Sequence, residues 1–257
     1  MNKPFNITIS VPSGNPDKLR VIEKTNRLSL ALVFNRSELS SVAKSRSELE
    51  YTGVYMLVNS SSDSLPEIYI GEGESVLDRL KKHNKDQKKD FWEWAVVFVN
   101  RDNSLHKAHI QHIEAALVER ANTNKRCICV NDVSPRTPSL PESVLYEAED
   151  LLSDIYHIVP LLGISAFEEI TQDHLLEPED ILSIRTKGIT ATGFSADGKF
   201  VVQSGSGVIP QAVPSISSGF SGLRDTLVDQ GVIDTQGDHW SFTQDYTFAS
   251  PSTAAAV

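Results

Sequence analysis

Two tyrosines, one arginine and one histidine lie close together in the sequence, and their side chains suit chemistry on a phosphodiester. Tyr55 and Tyr69 each lie in a short apolar run next to a glycine, in the segments GVYMLV and EIYIG. Arg79 and His83 follow four residues apart, a spacing that places both side chains on one face of a helix. Phenol, imidazole and guanidinium groups can transfer protons and stabilise the charge of a phosphate. A hydrophobic core needs none of these groups, so their grouping indicates a functional site.

A hairpin and the helix after it must position these residues. Residues 54–58 and 67–71 are rich in β-branched and aromatic side chains and are predicted to be strands. The segment between them, 59–66, contains serine, aspartate and proline, which favour a turn. After Gly71 the apolar residues change to helical spacing. The tyrosines are therefore expected on neighbouring strands, and the arginine and the histidine on the next helix.

A carboxylate in a later helix completes the set. The helix predicted from about Ser104 has an apolar stripe that includes Ile110, Ile113 and Leu117. Glu114 lies one turn after Ile110, near this stripe and not on the opposite solvent face. Because a carboxylate in apolar surroundings is costly unless it is paired or binds a metal, Glu114 is a candidate functional residue.

The order of these residues resembles that of the GIY-YIG nuclease domain. Gly53-Val54-Tyr55 is followed after a spacer by Tyr69-Ile70-Gly71, then by an arginine eight residues after that glycine and a histidine four residues later. The resemblance covers about 51–135, which is under half of the chain. It implies structural roles for Gly53, Gly71 and Asn131, the last at a position where the family usually has a structural asparagine.

The resemblance implies a metal-dependent endonuclease that hydrolyses DNA phosphodiester bonds with a single metal ion. Glu114 would bind Mg²⁺ or Mn²⁺, since one carboxylate with retained water suits such a cation. Arg79 would stabilise the phosphate charge, Tyr55 would act as the base, and His83 would position a group or donate a proton. Tyr69 would fix the phosphate or the other tyrosine. We expect the metal and Arg79 to depress the pKa of Tyr55 from its ordinary value of about 10.

Nucleic-acid binding is assigned to a basic run beside this site, within a chain that is acidic as a whole. The net charge is −10, which argues against tight, non-specific binding of duplex DNA. The basic run extends over 79–89, and a solvated helix end and loop is the equally weighted alternative for it. Outside that run, His109 on the helix of Glu114 would face the substrate or hold this carboxylate. The residues predicted to contact nucleic acid are Lys81, Lys82, Lys85 and His109.

Two other clusters have simpler explanations than a binding site. His106, His109 and His112 recur every third residue, but this spacing drifts around a helix and no thiol partner is evident, so zinc is disfavoured. The aromatic segment 91–94 could stack on bases, yet such a cluster is more often part of a core or of an interface between domains.

Glu72 and Glu74 depart from the pattern of the family, because many relatives have a basic residue just after this glycine. Two acids near a phosphate could weaken its binding, or one of them could join the metal site. A catalytically weak or inactive nucleic-acid-binding module, or a protein-interaction module, therefore remains an alternative function. The sequence leaves open DNA or RNA as the substrate, and restriction, repair or phage defence as the setting.

The predicted fold class is α+β. We expect a β-rich extension at 1–50, which is either a docking module or an addition to the nuclease sheet. The GIY-YIG domain at 51–135 is expected to have about three strands, mixed or antiparallel, flanked by helices. A helix and an acidic connector follow at 136–182. A small α+β domain at 183–257 resembles an uncharacterised domain that often follows GIY-YIG units in bacterial proteins, and its abrupt end indicates that a few final residues are missing.

The cellular location is inferred from membrane and secretion signals and from cysteine usage. No segment approaches the roughly 18 consecutive apolar residues of a membrane span, and the N-terminus lacks a secretory leader. Cys127 and Cys129 are two residues apart in a predicted strand, so their side chains point to opposite faces and a mutual disulfide is disfavoured. We expect a cytoplasmic protein without a membrane partner, and leave open a protein partner or self-association through the flanking domains.

Overall fold

The chain divides into two compact units, Met1–Ser60 with Pro66–Glu168 and Ser61–Leu65 with Glu169–Val257. A computed structural model describes residues 4–59, 65–86, 90–131, 133, 135–168, 181–186, 188–196, 198–210, 218–236 and 239–257. The described residues form three β-sheets and six α-helices, which agrees with the predicted α+β class. No helix in these ranges is long and apolar enough to cross a membrane.

The first unit is built on one seven-stranded sheet. Its strands, β1 to β7 in chain order, are Ile7–Ser10, Arg20–Lys24, Ser29–Asn35, Gly53–Asn59, Glu67–Gly73, Trp94–Asn100 and Ile128–Cys129. Their order across the sheet is β1-β2-β3-β6-β4-β5-β7, and all neighbours are antiparallel except β5 and β7. Strand β3 pairs with β6, so the N-terminal extension is part of this sheet, which is larger than the three strands expected.

Helices cover both faces of this sheet. Val54, Met56 and Val58 of β4 point to one face, and Tyr55 and Leu57 point to the other. Because both faces are buried, the central strands are continuous apolar runs and do not alternate with polar residues. The helices are α1 Leu39–Ser45, α2 Val76–Lys85, α3 Lys107–Asn124 and α4 Glu142–Ile158, with short 3-10 turns at Arg36–Glu38, Ser47–Glu50 and Val159–Leu162. Helices α3 and α4 pack on the face of Val54, and α1 and α2 pack on the face of Tyr55.

The structure shows where helix α3 begins and where the aromatic segment 91–94 lies. Helix α3 begins at Lys107, three residues after Ser104, and its N-cap is His106, which forms a capping box with His109. The backbone N–H of Ser104 instead donates to Asp102 Oδ1 at 3.1 Å, in the turn before the helix. Trp92 is buried in the core on the face of Tyr55, with the guanidinium of Arg36 over its ring. This placement supports the core interpretation of the segment 91–94.

The second unit contains two small sheets and two helices. Its strands, β8 to β14 in chain order, are Leu182–Thr186, Ile189–Ala196, Lys199–Val202, Gly207–Val208, Ile233–Asp234, Trp240–Phe242 and Tyr246–Phe248. The sheets have the orders β14-β10-β9-β8 and β11-β13-β12, and the helices are α5 Ser218–Asp229 and α6 Pro251–Ala256. Strands β9 and β10 form an antiparallel hairpin in which Ala196 is opposite Lys199.

A buried carboxylate fastens α4 to the sheet of the first unit. Asp154 accepts hydrogen bonds from Lys24 Nζ at 2.9 Å, from Arg27 Nε at 2.9 Å and from Ser29 Oγ at 2.7 Å. Lys24 ends β2 and Ser29 begins β3, so the helix is held where these two strands meet. Burial by itself raises the pKa of Asp154, but the three hydrogen bonds outweigh it and hold the pKa below its ordinary value of 3.8.

We expect Asp154→Ala to lower the free energy of unfolding by about 1–3 kcal/mol, because the change leaves the buried hydroxyl of Ser29 and two partly buried cations without their acceptor. Urea denaturation at pH 7 measures the loss. Since the folded state depresses the pKa of Asp154, its contribution is present above the ordinary pKa and is lost as the pH falls through the folded value. The difference between the wild type and the variant should therefore shrink below about pH 4.

Asp150→Ala is the matched control. Asp150 lies one turn earlier on α4 and also binds Arg27, at 2.9 Å, but its side chain is 69% exposed. Its removal should lower the free energy of unfolding by less than about 1 kcal/mol. Equal losses in the two variants would show that the burial of Asp154 is not what fastens the helix.

Candidate functional site

The hairpin of β4 and β5 places the two predicted tyrosines side by side. Tyr55 is paired across the ladder with Gly71, and Leu57 with Tyr69, so both phenols lie on the same face of the sheet. Their ring centroids are 6.3 Å apart. A Cβ atom built on Gly71 would lie 2.5 Å from the hydroxyl oxygen of Tyr55. The phenol therefore lies directly over the backbone of β5, where only glycine leaves room for it.

Helix α2 brings the arginine and the histidine to the same place. The side chain of Ser75 caps the start of this helix by accepting from the backbone N–H of Asp78. His83 Nε2 lies 2.7 Å from the hydroxyl oxygen of Tyr55, and the rings of His83 and Tyr69 meet edge to face, with centroids 5.0 Å apart. Arg79 is close enough to lower the pKa of the Tyr55 phenol by its positive charge. The Tyr55 hydroxyl thus lies at the imidazole of His83, within electrostatic reach of the Arg79 guanidinium.

The protein groups around Tyr55 raise its pKa. Burial is the largest influence and raises the pKa, the negative form of Tyr69 would raise it further, and Arg79 lowers it by less. Tyr55 is fully buried, whereas Tyr69 is partly exposed. Arg79 alone therefore does not offset burial, and the lower pKa expected from a metal ion and Arg79 together stays a prediction.

Helix α3 contributes a carboxylate without a partner. Glu114 is half-buried and forms neither a hydrogen bond nor an ion pair with any residue that the structure describes. Burial, with the added negative charge of Glu72, raises the pKa of Glu114 to about 7, and the positive charges of Arg79 and Lys107 oppose this shift. These influences place Glu114 within electrostatic reach of Arg79, although α3 and α2 pack on opposite faces of the sheet.

Glu72 and Lys107 form an ion pair beside Glu114. Lys107 Nζ binds Glu72 Oε1, while Glu72 Oε2 is buried and has no hydrogen-bond partner among the described residues. Sequence reasoning noticed Glu72 but missed Lys107. The spacing of Lys107 and Glu114, seven residues apart on one helix, puts both on the same face and could have revealed it. Glu74, the other departure from the family pattern, is exposed.

The predicted structural residues hold the two strands that carry the tyrosines. Asn131 binds the backbone of Ile70 twice: its Nδ2 donates to the carbonyl oxygen at 2.7 Å, and the Ile70 N–H donates to its Oδ1 at 3.0 Å. This pair fixes β5 between Tyr69 and Gly71. At Gly53, a Cβ atom would lie 2.4 Å from the carbonyl oxygen of Phe98, so glycine permits close packing of β4 on β6.

The residues predicted to contact nucleic acid divide into two groups. Lys81, Lys82 and Lys85 are exposed on α2, and residues 87–89 of the basic run lie outside the described ranges. His109 is only 1% exposed; its Nδ1 accepts from the backbone N–H of His106 at 2.9 Å, and its Nε2 lies 3.1 Å from Glu147 Oε2. A nucleic-acid contact at His109 disagrees with this placement, because both ring nitrogens are engaged and the ring is buried.

A metal ion at this site would have to bind to few protein groups. Within the described ranges, no three histidine, cysteine or acidic side chains are grouped so that they could hold a metal. Glu114 and the free oxygen of Glu72 are the carboxylates beside Arg79. Such a pair fits a hard cation like Mg²⁺ or Mn²⁺ that keeps several water ligands, and it does not fit zinc.

Comparison with known proteins assigns only the second unit. Residues 182–257 match a domain of unknown function, DUF4357, which agrees with the uncharacterised C-terminal domain predicted from the sequence. No GIY-YIG family model matches the chain. No curated protein and no solved structure shows significant similarity to it. The function of the site in the first unit is therefore argued from its own chemistry.

We expect Glu114→Gln to make the protein more stable at pH 8, by about 1 kcal/mol after allowance for solvent screening. The folded state raises the pKa of Glu114 from 4.5 to about 7, so ionisation of this carboxylate destabilises the fold as the pH rises between these values. Below the ordinary pKa the wild type and the variant should be equally stable. Thermal unfolding at pH 8 and at pH 4.5 measures the difference.

Glu119→Gln on the same helix is the control for this prediction. Glu119 is exposed, so its substitution should leave the stability nearly unchanged at both pH values. A loss of stability in Glu114→Gln at pH 8 would mean that the carboxylate has a stabilising partner, and would contradict the unpaired state described above.

Proposed function

We propose that the first unit is a metal-dependent endonuclease that hydrolyses phosphodiester bonds of DNA at a GIY-YIG-type site. The observation that carries the proposal is the hydrogen bond between Tyr55 and His83, with Arg79 and the carboxylate of Glu114 in electrostatic reach of Tyr55. Arg79 supplies a positive charge for a phosphate, Tyr55 and His83 supply groups that carry protons, and Glu114 supplies a ligand for a metal ion. Strands β4, β5 and β6 with α2 and α3 also support the GIY-YIG-type arrangement expected from the sequence.

Glu114 and Glu72 would hold the divalent cation. Glu114 has no protein partner in the described ranges, and Glu72 keeps one buried oxygen free while Lys107 neutralises the other. When bound there, Mg²⁺ or Mn²⁺ supplies Lewis-acid stabilisation of the phosphate oxygens. Two acidic groups whose charges repel each other favour a cation, because its charge removes the repulsion that raises the pKa of Glu114.

Arg79 would bind the phosphate that is attacked. Its Nε is buried and has no hydrogen-bond partner among the described residues, so one donor of the guanidinium is available to a ligand. Tyr55 and Tyr69 both favour its charged form, although burial opposes it. A guanidinium fixed in this way stabilises the negative charge that develops on the phosphate in the transition state.

The two tyrosines would have different roles, because one is buried and the other is partly exposed. Tyr69 is partly exposed and contacts the ring of His83, so it is the phenol that a water molecule in the site can reach. We assign Tyr69, in its phenolate form, to take a proton from that water as the water attacks, which returns Tyr69 to the neutral phenol. Tyr55 keeps its own proton because burial raises its pKa. When Nε2 of His83 is unprotonated, the hydroxyl of Tyr55 donates to it, and this hydrogen bond holds the phenol near the guanidinium of Arg79.

The DNA backbone would lie along α2. Lys81, Lys82 and Lys85 are exposed on the helix that carries Arg79, so they add positive charge next to the phosphate site. Their local charge offsets the overall charge of −10 only near this helix. Binding is therefore expected to weaken steeply as salt is added, since each lysine that neutralises a phosphate releases a counterion.

The ion pair between Glu72 and Lys107 favours a second candidate, a module that binds nucleic acid without cutting it. Lys107 occupies one oxygen of Glu72 and also lowers the pKa of Glu114. If this lysine takes the place of a metal ion, the unit retains its cations for phosphate and loses the cofactor. Cleavage and binding must therefore be measured together.

Cleavage of supercoiled plasmid and of single-stranded DNA with Mg²⁺ or Mn²⁺ tests the proposed endonuclease. We expect the wild type to cut and Glu114→Gln not to cut, since the amide loses the charge that binds the cation. Arg79→Ala should lower the rate by about 100- to 1,000-fold, because it removes a donor that acts on the transition state. A chelator should stop all cutting by the wild type.

Two further measurements separate the candidates. Glu119→Gln, on the same helix but exposed, should cut like the wild type. Mn²⁺ should raise the melting temperature of the wild type and not that of Glu114→Gln, which reports metal binding without activity. Undiminished cutting by Glu114→Gln would disprove the assignment of the metal ligand. Retention of labelled DNA in a gel shift, without cutting under either metal, would favour the binding module.

A further inference from the structure

Four charged side chains of the candidate site lie within electrostatic reach of one another. Lys107 forms an ion pair with Glu72, and Glu72 also favours the charged form of Arg79. The charges of both cations and of Glu72 act on Glu114 as well. We call Glu72, Glu114, Arg79 and Lys107 the charge quartet. At pH 8 both acids are ionised, so the positive and the negative charges of the quartet cancel.

A quartet without net charge attracts a DNA phosphate only weakly. The attraction of each cation for the phosphate is offset by the repulsion from the acid beside it. The ammonium of Lys107, in particular, is bound to a carboxylate oxygen of Glu72. A divalent cation changes this balance, because it adds positive charge without removing any. The quartet should therefore attract a phosphate strongly only when a metal ion is bound.

Glu72 is the residue at which a metal ion and Lys107 would meet. Its Oε1 binds Lys107, whereas its Oε2 is buried and has no hydrogen-bond partner among the described residues. A divalent cation on Oε2 draws the negative charge of the carboxylate toward itself, so the attraction between Glu72 and Lys107 weakens. The metal ion and the ammonium thus compete for one negative charge.

The ammonium of Lys107 can turn toward a substrate when this ion pair weakens. The side chain of Lys107 is 47% exposed, whereas that of Glu72 is 13% exposed, so the lysine forms the solvent side of the pair. Lys107 is the first residue of α3, and Glu114 lies seven residues later on the same face of this helix. The helix therefore keeps the lysine beside Glu114 whether or not the lysine binds Glu72.

We propose that Lys107 couples metal binding to DNA binding. In the metal-free site its ammonium pairs with Glu72, and when a divalent cation binds Glu72 the ammonium pairs with a phosphate of the DNA instead. By linkage, DNA raises the affinity for the metal by the same factor by which the metal raises the affinity for DNA. This inference rests on the proposed function and adds a control to it, since DNA is held tightly only when the cation is present.

Binding of a labelled DNA duplex at pH 8, with a chelator or with Ca²⁺, measures this coupling by fluorescence anisotropy. Ca²⁺ takes oxygen ligands, as Mg²⁺ does, and a gel verifies that the duplex stays intact. We expect Ca²⁺ to tighten DNA binding by the wild type. Lys107→Met should reduce this gain about tenfold, because it removes one charge-assisted hydrogen bond to phosphate. No gain in the wild type, or an equal gain in the variant, would overturn the proposal.

Lys85→Met is the matched control. Lys85 is exposed on α2 and forms no ion pair with any residue that the structure describes. Its substitution should weaken DNA binding by the same factor with and without Ca²⁺, because this lysine would contact a phosphate in both states. The gain from Ca²⁺ should therefore equal that of the wild type.

Glu72→Gln tests the release of the lysine without any metal ion. The amide lacks the charge that holds Lys107, so the ammonium can pair with a phosphate even in the presence of a chelator. Adding Lys107→Met to Glu72→Gln should then weaken metal-free DNA binding about tenfold, whereas Lys107→Met alone should change it little. An equal effect of Lys107→Met in both backgrounds would show that Glu72 does not restrain the lysine, and would contradict the coupling.

Calorimetric titration with Mn²⁺ in the absence of DNA reports the competition directly. We expect Lys107→Met to bind Mn²⁺ about tenfold more tightly than the wild type, since no ammonium repels the cation or competes for Glu72. Weaker binding by the variant would show that Lys107 orients Glu72 as a ligand, and would overturn the competition.

These measurements separate the coupling from the proposed endonuclease. Tighter Mn²⁺ binding and a smaller gain from Ca²⁺ in Lys107→Met, without any cutting of DNA, would support the coupling and contradict the endonuclease. Metal-dependent cutting with equal gains in the wild type and in Lys107→Met would contradict the coupling alone. Absence of Mn²⁺ binding by both proteins would contradict the metal site on which both proposals rest.

Discussion

The candidate site depends on one close approach, that of the Tyr55 phenol to the backbone of β5 at Gly71. Because glycine has no side chain, the hydroxyl end of the phenol lies over the backbone of the neighbouring strand, and the hydroxyl lies 2.7 Å from His83 Nε2. Any side chain at this position would displace the phenol by steric overlap. The register of β4 and β5 is therefore part of the site, and the two hydrogen bonds of Asn131 to Ile70 help to hold it.

The acidic groups of the candidate site, in contrast, lower the stability of the folded state. Glu114 is held half-buried beside another acid and without a partner, which raises its pKa to about 7. Elsewhere in the same unit a buried acid is fully satisfied: Asp154 has three donors and a lowered pKa. This contrast favours the role proposed for Glu114, because a ligand for a cation needs free oxygens, whereas a residue that fastens a helix needs partners.

The second unit differs from the first in the chemistry of its side chains. The family that it matches has no known function, so the match does not indicate a reaction or a ligand. Its buried residues are mostly apolar, and Arg224 is the one buried charged side chain among those that the structure describes there, which is unlike the first unit with its exposed lysines and acidic pair.

Residue types and their spacing were enough to predict the hairpin, the α+β class and the polar residues that could do chemistry. Spacing indicates whether a segment is a strand or a helix, and it places Tyr55 and Tyr69 on strands and Arg79 on the helix that follows. The burial of each group, in contrast, follows from the folded chain. The tertiary structure showed that three N-terminal strands join the sheet, that His109 is enclosed, and that Lys107 meets Glu72. Burial and long-range pairing set each pKa, and neither can be derived from local spacing, because both depend on residues far apart in the chain.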